Sequence, residues 1–288
     1  MVHREPGELT EIGPGAASNR TDGLTLAVHV TDLAALRRRV GARTLAAPHR
    51  ADTHVIILIN RGRGRHTVDF ETYPCAAGTL LWVRPGQVHQ FQSPSRLNGT
   101  QIRFTATDRV GDGFTARLLD TRGTVSRRLT SSDHEEIGAL VESLSAEYPR
   151  TGETQHREIL AHILLALLLR IDRAAHPPDA KALTDEQELF ERFEDCLEHD
   201  FARTRRTTDY ASLLGTTVRS LNQACGNAVG HTAKDHIDNR VQLEAKRLLA
   251  TTDESLSAIA HRLGFSEAST FSRFFTRHAS VSPGEFRR

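Results

Sequence analysis

Cysteine is nearly missing from this chain: Cys75, Cys196 and Cys225 are its three in 288 residues, far apart and with no CxxC pair among them. That usage argues against a disulfide framework and a structural zinc site, and it fits a reducing cytoplasm. Long apolar runs are missing too. The longest, Ile159 to Leu169, contains His162 and is too short for a hydrocarbon core of ~30 Å at 1.5 Å per residue. The start of the chain mixes Arg4, Glu5, Glu8 and Glu11 with Gly and Pro and holds no apolar signal core. A soluble, cytoplasmic protein with no membrane partner is expected. P-loop, dinucleotide fingerprint and nucleophile motifs are also missing, so NTPase, dehydrogenase and ordinary hydrolase readings have nothing to rest on.

Charge of either sign is nearly cancelled, at a net +1. The balance hides a segregation. Residues 201 to 288 hold 13 Lys+Arg against 8 Asp+Glu, whereas Asp185 to Asp200 holds 8 acids and one Arg. A basic excess attracts phosphate by counterion release. Two domains suit the length, each with enough chain for a core.

What is present is a local pattern written twice. Ala211, Leu214, Gly215 and Thr217 recur at an offset of 49 residues as Ala260, Leu263, Gly264 and Ser266. Each copy reads as helix, glycine turn, capping hydroxyl, helix, the sequence form of a helix-turn-helix. In the second copy Ala258, Ile259 and Leu263 supply the apolar face, Gly264 the residue with positive φ, and Ser266 the cap. Phe271, Phe274 and Phe275 then share one face and anchor the following helix. Ser269, Thr270, Arg273 and Arg277 are left outward. In the first copy Thr217 caps, Leu221 points in, and Arg219, Asn222 and Gln223 lie on the other face. Arg pairs with guanine, and Asn and Gln with adenine. Either helix alone could be an ordinary solvated surface; the repetition favours a pair of DNA-reading helices.

The segments Ile237–Leu249, Ile259-Ala260, Leu263–Ser266, Phe271–Phe275 and Val281-Ser282-Pro283 resemble the AraC/XylS family of transcription regulators over roughly Thr204 to Arg288. The resemblance implies two helix-turn-helix subdomains joined by a long helix, about Ala233 to Ala250. It also implies that Arg219, Asn222, Gln223, Ser269, Thr270 and Arg273 face double-stranded DNA. Two departures stand out. Cys225 replaces the usual Phe, and Ala279-Ser280 replaces an aromatic-Gly pair, so Ser280 must accept the turn that Gly would make.

Residues 1–22 are rich in Gly, Pro and charge and are expected to be disordered. Short β-like segments follow: His54–Asn60, His66–Phe70, Thr79–Val83 and Gln101–Phe104, separated by Gly/Pro turns. From Leu24 to Thr107 this pattern resembles the cupin-like effector domains that precede AraC-type DNA-binding domains. Such a barrel would take a small-molecule effector, and Trp82, His89, Phe91 and Arg103 are its candidate contacts; for Trp82 plain core packing is the rival. A metal-dependent cupin enzyme with an appended DNA-binding domain is the alternative function. It would need converging ligands, but His66 stands without the HxH partner and His89 is a single His. No metal, cofactor or catalytic residue is expected.

Ile137, Leu140, Val141 and Leu144 mark one amphipathic helix. Ile159, Leu160, Ile163, Leu164, Leu167, Leu168 and Ile171 make a broader stripe on a second, which either packs on its own barrel or pairs with a second subunit. The expected architecture is therefore α+β with two domains. It comprises a cupin-like β-barrel and helical dimerisation segment (23–174), a proline-containing linker (175–183), and an all-α DNA-binding domain (184–288). The resulting reading is a homodimeric, effector-controlled transcription regulator, with RNA polymerase as a further partner.

Overall fold

The computed structural model describes residues 24–92, 94–108, 119, 123–149, 155–175 and 184–288. The expected disordered segment 1–22, and all of the expected linker 175–183 except its first residue, lie outside them. The chain separates into two compact units, one up to Ala180 and one from Lys181 onward.

In the first unit the strands are β1 (Leu24–Asp32), β2 (His49–Arg50), β3 (His54–Val68), β4 (Glu71–Ala76), β5 (Thr79–Val83), β6 (Val88–Phe91), β7 (Leu97–Asp108) and β8 (Ser126–Arg128). Two short helices, α1 (Leu33–Val40) and α2 (Ala42–Ala46), follow β1, and α3 (Ser131–Glu147) and α4 (His156–Ala175) close the unit. The sheet path runs β1-β7-β3-β5-β8 with all pairings antiparallel, and β4, β6 and β2 branch from it. Strand β3 belongs to two layers. Its first half lies between β7 and β5, and after an irregularity at Ile59/Arg61 its second half pairs with β4 and β6. Among the described residues the path does not close on itself, so the cupin-like unit is a folded-over sheet rather than a ring of paired strands.

Alternation along the strands decides what each face meets. Val55, Ile57, Ile59, Leu81 and Val83 gather with Val68, Cys75, Phe91 and Leu97 in a core between the layers. Ile56, Leu58, Leu80, Trp82, Ile102 and Phe104 point the other way and pack with Ile137, Val141, Leu144, Leu160, Leu164, Leu167, Leu168 and Ile171 of α3 and α4. The broad stripe of α4 is thus largely covered by its own sheet; Ile159 and Leu169 remain exposed.

The second unit is helical: α5 (Asp185–Asp200), α6 (Thr207–Leu213), α7 (Val218–Val229), α8 (Ala233–Thr251), α9 (Leu256–Arg262), α10 (Ala268–Ala279) and α11 (Pro283–Arg287). A capping box of Thr184 and Gln187 starts α5, and Asp185, Glu186 and Glu188 occupy its first turn, where the helix dipole favours acids. Helix α8 matches the expected long connector and serves two cores. Ala233 and Ile237 pack with Phe193, Leu197, Tyr210, Leu221 and Cys225. Val241, Ala245, Leu248 and Leu249 pack with Ile259, Leu263, Phe265, Phe271 and Phe275.

Candidate nucleic-acid interface

Each helix-turn-helix is assembled by a few local decisions. In the first, α6 is C-capped by Leu214, Gly215 turns the chain at φ +63°, and the Thr217 hydroxyl accepts from the Ser220 N–H to start α7. Leu221, Ala224 and Cys225 are buried beneath α7. Burial, with Glu194 adding to it, pushes the Cys225 thiol up to about 12, so it stays a neutral, compact core residue where the family usually has Phe. Thr217→Ala should destabilise this unit by about 1 kcal/mol through loss of the cap; chemical denaturation followed by far-UV circular dichroism checks it.

The second copy departs from the first by one residue. Gly264 turns at φ +74°, as expected, but the N-cap of α10 is Glu267 rather than Ser266, and its side chain makes no cap hydrogen bond. The cause lies next to the glycine. Phe265 is buried and packs edge-on to Phe271 and against Phe274, whereas its counterpart Thr216 is half-buried. Drawing that ring into the core lengthens the turn and leaves Ser266 exposed. Ala258 is also exposed; the apolar face of α9 is built from Ile259, Ala260 and Leu263 instead. At the far end of α10, Ser280 takes the left-handed conformation at φ 60°, the turn the sequence demanded of it.

The two faces expected to read DNA differ in how free their side chains are. Arg219, Arg273 and Arg277 are exposed, and among the described residues none is held by a hydrogen bond or ion pair. Ser269 is exposed and donates to Glu267 at 2.9 Å, while Thr270 is half-buried. Together these place an arginine and hydroxyls on the outward side of α10, opposite Phe271 and Phe275. On α7 two candidates already have partners. The Asn222 Oδ1 accepts from the Ala233 N–H at 3.0 Å, satisfying the first N–H of α8, whose N-cap is Thr232. Gln223 donates to one oxygen of Glu186 on α5, and Asn227 donates to the other.

Glu186 was invisible as a contributor from sequence, where it reads only as one acid of an acidic helix. Arg205 was missed as well. Its guanidinium lies 3.6 Å over the Phe265 ring and donates to the Gly264 carbonyl at 3.4 Å. The segment between α5 and α6 therefore docks on the turn of the second motif. Arg240 of α8 adds a paired contact to Glu198 of α5, at 2.6 and 2.9 Å, beneath Phe201. Because Phe201 packs against both cores, the two motifs are mounted on one frame.

The four effector candidates divide by face. Phe91 belongs to the core between the layers. The buried His89 ring contacts His66, with His66 Nε2 to His89 Nδ1 at 3.2 Å, and burial holds His66 well below the usual imidazole range. Arg103, between Ile102 and Phe104, turns opposite to them and meets Asp52 at 3.3 Å. Trp82 is on the other face, in the core under α3 and α4, so it does not share an interior with the other three. Its indole N–H donates to the His54 Nδ1 at 3.3 Å; burial, with Arg84 adding, lowers His54 to about 4, which keeps that nitrogen an acceptor. A groove of about 900 Å³ lies elsewhere, between the sheet and α3, over Val30, Leu58 and Val141 with Asn60, Thr100 and Ser145 at its sides. Among the described residues no group of three or more His, Cys, Asp or Glu is placed to hold a metal, and no helix is long and apolar enough to cross a membrane.

Comparison with known proteins adds two matches that together span most of the chain. Residues 36–184 match the model of the AraC-like ligand binding domain, and 210–288 that of a helix-turn-helix domain. Over 247 residues the chain is 25% identical to the HTH-type transcriptional activator RhaS of Enterobacter sp. (strain 638), covering 83% of this chain and 87% of that one. Similar solved structures include ToxT from Vibrio cholerae O395, 15% identical with a TM-score of 0.45 over 91% of this chain and 96% of that chain. Another is a transcriptional regulator with an AraC-type DNA-binding domain from Chromobacterium violaceum, 24% identical with a TM-score of 0.33 over 35% of this chain and 90% of that chain.

Proposed function

Since the chain belongs to the AraC family of transcription regulators, we propose that it is a cytoplasmic, homodimeric one-component switch whose α7 and α10 read DNA from one subunit. The observation that carries this reading is the pair of equivalent helices fixed to a shared α8, each with an unpaired outward arginine. Arg219 and Gln223 on α7, and Ser269, Thr270 and Arg273 on α10, contact base edges; Arg277 holds a phosphate. Asn222 shapes the interface from behind by accepting from the first N–H of α8. Phosphate contacts supply most of the affinity and base contacts the choice of site. The first unit takes a small-molecule effector, with Phe91, His89 and Arg103 on its inner side. The exposed Ile159 and Leu169 of α4 are the part of its stripe left for a second subunit. The segment 175–183 links the units, and RNA polymerase is the partner through which bound protein acts on transcription.

Selection of bound sequences from random duplexes by the full chain tests this. Two preferred blocks about one turn apart, ~34 Å, are expected. Recovery of all sequences alike, both without ligand and across an effector library, would remove the two-helix mechanism.

A further inference from the structure

The first unit carries a strongly basic stretch apart from the effector candidates Trp82, His89, Phe91 and Arg103. Residues 33–66 hold eight arginines and a single acid, Asp52. Much of this charge is gathered around the segment 94–97. Arg37 of α1 donates to the carbonyls of Pro94 at 2.7 Å and Leu97 at 3.3 Å, fastening α1 there. Strand β3 is pressed against the same segment: a Cβ on Gly62 would lie 1.8 Å from the Arg96 carbonyl oxygen, and one on Gly64 would lie 3.0 Å from the Leu97 side chain. The two glycines of Arg61-Gly62-Arg63-Gly64-Arg65 thus permit this close approach, while the three arginines beside them stay exposed. Arg38, Arg43, Arg61, Arg63, Arg65 and Arg96 are all exposed, and among the described residues none has an ion-pair or hydrogen-bond partner.

We propose that this arginine face is a second, sequence-independent DNA contact, which grips the phosphates of duplex flanking the site read by α7 and α10. Like charges outnumbering acids this strongly along residues 33–66 repel one another in the free protein, although Arg61 also borders the groove lined by Asp32, Glu135 and Glu142, and a polyanion relieves that repulsion. Duplex is also the polyanion present wherever the helical unit is bound. The covalent tether raises its effective concentration at this face, so weak contacts suffice. The proposal rests on the DNA-binding reading above and adds a contact that reading does not need.

The test uses the full chain and its Arg61→Ser/Arg63→Ser/Arg65→Ser variant, with Arg38→Ser/Arg43→Ser as an independent second. Affinity is measured against salt on two duplexes, one carrying only the selected site and one extended by about four turns on either side. On the extended duplex the triple variant should bind about tenfold or more weakly at low salt, and its log K against log[salt] slope should fall by about 2.7, at ~0.9 per phosphate. On the short duplex it should match the unaltered chain. Equal slopes on both duplexes for both variants would overturn the proposal while leaving site recognition standing. Loss of site preference by the unaltered chain would instead remove the underlying reading. Arginine-dependent capture on phosphatidylserine vesicles, with unchanged slopes on DNA, would reassign the face to lipid and also overturn it.

Discussion

Gly264→Ala should destabilise the helical unit by about 3 kcal/mol or more, while Gly215→Ala, its counterpart in the repeat, should cost only about 1–2 kcal/mol. Both glycines have positive φ, +74° and +63°, so both variants carry the left-handed penalty. Only one has a neighbour. A Cβ at 264 would stand 2.2 Å from the Ala202 carbonyl oxygen, whereas one at 215 would find nothing within 4 Å. The clash is with backbone, and that backbone is pinned by Arg205 on Phe265 and Gly264, so relief requires parting the segment after α5 from the second motif. The chain's single tryptophan, Trp82, sits in the first unit, which separates the signals. Urea titration should show the circular dichroism transition moving to lower denaturant in Gly264→Ala while the tryptophan transition holds. Equal shifts for the two glycine variants would refute the close approach at Ala202.

Arg273→Ala should weaken binding to the selected site by about 1–3 kcal/mol, roughly 5- to 150-fold, if Arg273 reads a base. The side chain is exposed and unpaired, so removing it breaks nothing within the protein. Helix α10 stays anchored by Phe271 and Phe275, both fully buried, and the variant should melt with the unaltered chain. The discriminating measurement is the ratio of affinities for the selected and a scrambled duplex. Loss on the selected site alone assigns base reading. Equal loss on both, with a salt slope reduced by about 0.9, makes Arg273 a phosphate contact. The same experiment on Arg277→Ala should give that second pattern.

Much of the helical unit was legible because its rules are local. Glycine at a helix end, a hydroxyl cap and aromatic residues at i, i+3 and i+4 act within a few residues of one another, so the repeat, the long α8 and the Ser280 turn could all be read from the chain. What failed failed for lack of neighbours. Ser266 has the chemistry of a cap, but Phe265 beside it is drawn into a core assembled from α8, α9 and α10, which moves the cap to Glu267. Asn222 and Gln223 have the chemistry of adenine readers. That they also meet Ala233 and Glu186 depends on α8 and α5 passing close to α7.

In the first unit a strand's two faces are chemically alike when both are buried, as they are along Val55 to Ile59. Alternation then says that Trp82 and Arg103 have definite sides without saying which, and the packing of α3 and α4 on one face is what puts Trp82 there. By itself the sequence determined the family, the two helix-turn-helix motifs and the sheet-rich texture ahead of them, because periodicity, capping and turn chemistry are short-range. Only the tertiary structure decided which face of each strand looks inward, which of two like glycines is sterically locked, and which polar side chains remain free for DNA. Those outcomes depend on contacts between residues far apart in the chain, and local pattern carries no record of them.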